Sequence, residues 1–151
     1  MWSAADERFP RGYQDDADPL DVNSWGALFL HPAGRDDLAA GALAHTAAFA
    51  STDAGLTGHR AWYPQPAFPA APSAVWCEGS AGVGLARLRL GDSAGCRAIL
   101  ATLTAGQSAD GAFRYATRDD APTGMTTTES VTATAWYVLL SAAPTGPSVW
   151  D

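Results

Sequence analysis

Apolar side chains recur at helical spacing in five stretches of this chain, and no stretch alternates convincingly at the two-residue period of a strand. Residues 22–31 place Val22, Trp25 and Phe29 on one stripe. Residues 35–51 are Ala-rich, with Leu43 and Ala47 on one face and Phe49 nearby. Residues 78–90 bring Ala81, Leu85 and Leu88 into register. Residues 93–105 carry Cys96, Ile99, Leu100 and Leu103 at the i, i+3, i+4, i+7 spacing of an amphipathic helix. Residues 127–142 align Val131, Ala135 and Val138, with Trp136, Leu139 and Leu140 beside them. Start signals agree: Thr126 to Glu129 fits a capping box, and Asp21 and Asp92 are N-cap candidates. The expected fold class is all-α.

The connections alternate in length. Short turns near 32–35 and 91–92 join the first helix to the second and the third to the fourth, while long segments, about 52–77 and 106–126, lead into the third and fifth. The pattern is two helical hairpins and half of a third, repeating at roughly 50 residues, which suggests part of an α/α toroid. If the first, third and fifth helices are the inner ones, their N-termini share one mouth. Asp21, Trp25, Trp76, Glu78 and Glu129 then converge there. Residues 1–151 read as a single partial toroid domain, with 1–20 an irregular N-terminal segment.

Composition narrows the partners. A length of 151 residues suits one ordinary domain. The net charge is −7, with nine Arg and no Lys, so the basic cluster that a nucleic-acid backbone or an anionic membrane surface requires is missing. No window approaches the roughly 20 apolar residues of a membrane span, and the segment after Met1 lacks the basic start and apolar core of a signal peptide. A soluble chain is expected. Two cysteines, Cys77 and Cys96, fall within helical patterns and read as buried free thiols, with a bridge between them as the alternative.

Four segments, "LDVNSWGALFL", "VWCEGSAGVGLARLRLGD", "QSADGAF" and "SVTATAWYVLL", together resemble the successive inner-helix motifs of six-hairpin glycosidase-like proteins. The resemblance spans about residues 20 to 150. It implies an (α/α)6 barrel with a carbohydrate groove at its mouth and acid–base chemistry by carboxylates. Six hairpins need roughly twice this length, so the chain is expected to correspond to the C-terminal half of such a barrel. The expected partners are a carbohydrate and either an upstream half or a second copy covering the open hairpin edges.

Glycoside hydrolysis needs one carboxyl to protonate the leaving oxygen and another to activate water or attack carbon. Glu78 is the candidate for the first role, because Trp76 and apolar neighbours would desolvate it. A first-turn Glu also simply complements the helix dipole. Asp21 is the candidate for the second role, against a reading as an N-cap. Glu129 is a third choice whose structural alternative is the capping box. Trp25, Trp62, Tyr63, Trp76 and Tyr115 are aromatics in or beside the mouth segments, suited to stacking on sugar rings or to core packing. Gln107 to Phe113 reads as a structural turn around Gly111. The acidic run Asp15 to Asp21 lacks EF-hand spacing and reads as a solvated loop. "WCEGSAGVGL" also resembles the Trp-Cys-x-Gly signature of lanthionine synthetase-like zinc toroids, but Arg97, not His, follows Cys96, and all three His precede Cys77. No metal or other cofactor is expected. A carbohydrate-active hydrolase and a non-catalytic helical-repeat module that binds glycan or protein are the two readings carried forward.

Overall fold

The computed structural model describes residues 2–12, 15, 17–64 and 71–143. Among the described residues are five α-helices, each overlapping one of the stretches that the period marks: α1 (Leu20–Leu30), α2 (Asp36–His45), α3 (Cys77–Arg89), α4 (Ser93–Ala105) and α5 (Val131–Ala142). Between α2 and α3, after a 3₁₀ turn over Thr46–Phe49, lie two strands, β1 (Ala50–Asp53) and β2 (Leu56–His59), paired antiparallel with Asp53 opposite Leu56. Among the described residues the fold is therefore mixed α/β, five helices with a two-stranded antiparallel sheet, and the expectation of an all-α partial toroid is overturned.

The β-hairpin closes on Ala54 and Gly55, both with positive φ (50° and 79°), the geometry of a two-residue hairpin turn that matches the right-handed twist of its strands. Helix α2 accordingly ends at His45 and does not run to residue 51. Where they are described, the long segments before α3 and α5 are tied together by main-chain hydrogen bonds. The Trp76 N–H donates to the His59 carbonyl, Cys77 N–H to Tyr115, Thr117 N–H to Val75, and Tyr115 N–H to Thr128. Each link is 2.8 to 3.1 Å. This main-chain ladder runs from the hairpin through the start of α3 to the approach of α5.

The same ladder explains the start of α5. Residues that fit a capping box are held in extended pairing, with Ser130 N–H donating to Phe113 O and Glu129 bridged to Arg114. Ser130 is the N-cap instead, its hydroxyl oxygen accepting from Ala133 N–H. Asp92 does cap α4, accepting from Gly95 N–H at 2.8 Å. Asp21 is not a cap: Pro19 precedes α1, and Asp21 lies in its first turn.

Helix α3 lies at the centre, against α1, α4 and α5. Its buried run Gly79, Ser80, Ala81, Gly82, Val83, Gly84 lets neighbours approach closely. A Cβ on Gly84 would meet Leu140 at 3.0 Å and Ile99 at 3.2 Å. The main core gathers Ala27, Leu28, Ala81, Leu85, Leu103, Phe113 and Leu140, with both free cysteines, Cys77 and Cys96, inside it. A second cluster of Leu20, Phe49, Ala74, Trp76, Val83 and Met125 lies where the extended segments meet α1 and α3. Among the described residues, no helix is long and apolar enough to cross a membrane.

The N-terminal segment is pinned to this frame. Buried Asn23 accepts from Phe9 N–H at 2.8 Å and donates to Phe9 O, and the Phe9 ring fills the space that a side chain at Gly26 would need. Buried Asp18 receives His45 at 2.8 Å and faces Arg8 at 3.7 Å.

Candidate functional site

A cavity of about 360 Å³ opens where the first turns of α1 and α3 meet the extended segments. Helix α1 contributes Asp21, Val22 and Trp25, the first and last four residues apart and so on one face. Trp76 and Glu78 come from the entry and first turn of α3. Trp62 is carried in by backbone pairing: Leu20 N–H donates to Ala61 O, and Tyr63 N–H to Asp18 O. Tyr115 arrives beside Trp76 through the bond from Cys77 N–H, and the two rings meet edge to face at 6.1 Å. Arg11, Thr123 and Met125 complete the rim.

Two carboxylates and four aromatic rings named from the sequence thus share one cavity. Two other candidates do not. Tyr63 lies outside the lining, its ring tilted against Phe49 at 5.9 Å. Glu129 stands in a separate groove with Val131, Val138 and Leu139 along the exposed face of α5, so the starts of α1 and α3 share the cavity lining and Glu129 is not part of it. Between the cavity residue Tyr115 and the start of α5 the chain runs along the ladder, with Tyr115 N–H donating to Thr128 O and Ser130 N–H to Phe113 O. Comparison with protein-family models, with curated proteins and with solved structures finds no match to this chain.

Burial pushes the Asp21 carboxyl above the usual carboxylate range, and only main-chain N–H groups, chiefly Val22 at 2.9 Å, pull the other way. Glu78 is half-buried. Both acids act on Tyr115: its phenol is raised first by burial and then by the negative fields of Glu78 and Asp21, while the Trp76 indole opposes the rise. Although Trp76 is 7 % exposed, its Nε1 completes no hydrogen bond of good geometry, which leaves a buried donor at the cavity wall. Arg11 is held by Asp15 at 2.8 Å, with its guanidinium over the Trp62 ring at 5.9 Å. Trp25, 38 % exposed, stacks on Trp136 at 5.7 Å with planes 4° apart, so it both lines the cavity and ties α1 to α5.

Sequence reasoning missed Arg11, Thr123 and Met125. Arg11 lies in a segment with no period, and the other two are brought in by a local 3₁₀ turn at Ala121–Thr123 in which Asp120 accepts from Thr123 N–H. Among the described residues, no three His, Cys, Asp or Glu side chains gather closely enough to share a metal ion.

Proposed function

We propose that the cavity binds a saccharide and that Asp21 and Glu78 carry acid–base hydrolysis of a glycosidic bond. The observation that supports this is the meeting of two carboxylates with Trp25, Trp62, Trp76 and Tyr115 around one cavity. Flat rings offer apolar surface to the faces of a pyranose, and a few polar groups fix its hydroxyls. The volume lies at the low end of small-molecule sites, about 300–1,000 Å³. Asp21 is suited to protonate the leaving oxygen, because burial favours its neutral form. Glu78 takes the complementary role on water or carbon. This exchanges the roles first assigned to them. Trp76 Nε1 supplies a donor for a sugar oxygen.

The test is titration with soluble oligosaccharides, read by tryptophan emission, alongside release of reducing ends. Binding with release that falls about 10²–10⁴-fold in Asp21→Asn and in Glu78→Gln supports the assignment. Binding without release would make the cavity a recognition site only. No response to any saccharide would overturn the reading.

A further inference from the structure

We infer that the saccharide accepted by this cavity carries a protonated amine, as in a hexosamine chain with free amino groups. This rests on the saccharide reading above and narrows its substrate class.

The lining presents two acids and, among the described residues, a single basic side chain, Arg11. That guanidinium is already engaged by Asp15 and lies over Trp62, at the rim, with its side chain 55 % exposed. No basic side chain lowers the Asp21 carboxyl, although burial raises it. A neutral sugar would exclude water from whichever of the two carboxyls is ionised and give it no opposing charge, which is costly. A protonated amine supplies charge-assisted hydrogen bonds, roughly twice as strong as neutral ones. It also meets aromatic walls whose faces are electron-rich, and indole is the best of these cation partners. Arg11 over Trp62 is an instance of that contact within the same cavity. The buried Trp76 N–H, whose contact with the Tyr115 hydroxyl falls short of a well-formed hydrogen bond, can take the opposite kind of group, an acceptor oxygen. One ligand that answers both demands is a sugar with hydroxyl oxygens beside an ammonium.

The experiment compares three tetrasaccharides on the full chain at mildly acid pH, where amines are protonated: a glucosamine tetramer, its fully N-acetylated counterpart and the matching glucose tetramer. Tryptophan emission reads the affinity. The free-amine tetramer is expected to bind at least about tenfold tighter than either neutral one, with the advantage lost in the Asp21→Asn, Glu78→Gln double variant. Both changes are isosteric, and near-UV circular dichroism checks that the variant keeps its packing. Equal affinity for all three tetramers would overturn the inference and leave the saccharide reading standing. An advantage that survives in the double variant would also overturn it, because the preference would then come from the net charge of −7 and not from the cavity. Failure of all three to bind would remove both.

Discussion

Substituting Gly79 by Ala tests how the cavity wall is built. Gly79 lies in the first turn of α3, three residues after Trp76, and a Cβ there would come within 2.7 Å of Trp76 Cζ3 and 2.9 Å of Leu20 Cδ2, and closer still to Cε3. Carbon atoms pack best at about 3.5–4.0 Å, so the indole must retreat by on the order of an ångström. Trp76 and Leu20 are both buried and have little room to do so. Overpacking of this kind costs about 1–3 kcal/mol. Replacing Gly within a helix returns about 1 kcal/mol. The net expectation is a loss of about 1 kcal/mol, which moves the urea midpoint down by roughly 0.5 M for a slope of about 2 kcal/mol/M. Gly82→Ala is the internal control. Its added carbon would meet Trp25 Nε1 at 3.3 Å and Ser24 Oγ at 3.5 Å, milder contacts in the same helix. That variant is expected to match or slightly exceed the parent. Urea melts followed by near-UV circular dichroism read both stability and the indole environment. If Gly79→Ala gains as much as Gly82→Ala and leaves the aromatic signal unchanged, Trp76 is not clamped by this contact.

Asp21→Asn should stabilise the fold at neutral pH: a carboxyl whose folded pKa is raised gives stability that is present below its unfolded value, near 3.8, and lost as pH rises through the folded one. Denaturant melts of parent and variant should converge in strong acid, and a variant less stable at neutral pH would contradict the burial. Asp18→Asn should cost about 3 kcal/mol, because Arg8 and His45, four-fifths buried, lose the carboxylate that compensates them; a melt within 1 kcal/mol of the parent would show that the pair contributes little. Ala54→Asn should add about 1 kcal/mol, since Asn tolerates the left-handed conformation that Ala occupies at φ 50°. An unchanged or lower thermal midpoint would count against the turn geometry.

What the sequence made legible was whatever a 3.6-residue period can express. The stripe Cys96, Ile99, Leu100, Leu103 marks a helix because a helix buries one face, and α4 lies on Ser93–Ala105. The β-hairpin stayed hidden for two reasons. Four-residue strands are too short to display alternation, and an Ala-Gly turn lacks the Asn or Asp that usually announces one. The capping box at Thr126–Glu129 failed because long-range pairing with residues 113–116 overrode a local preference. Chemistry and helix order singled out Asp21, Glu78 and the four aromatics that share the cavity lining. Tyr63 turns its ring against Phe49 instead, because composition marks an aromatic segment without saying which way each ring turns.

The ladder that gathers Trp62, Trp76 and Tyr115 is made of main-chain atoms, and main-chain bonds are indifferent to side-chain identity. The scaffold of the cavity and its chemistry are thus separately adjustable. A ring at position 62 or 115 can be exchanged for an amide, a hydroxyl or a smaller apolar group while the N–H and C=O partners stay where they are. Positions 79 and 58 have no such freedom: at Gly79 the Trp76 ring, and at Gly58 Val75 and Ser80, fill the volume a side chain would take. Among relatives of this chain, ligand preference should therefore drift at the rings while these glycines hold still, so that variation and constancy alternate within a few residues of one another along the same segment.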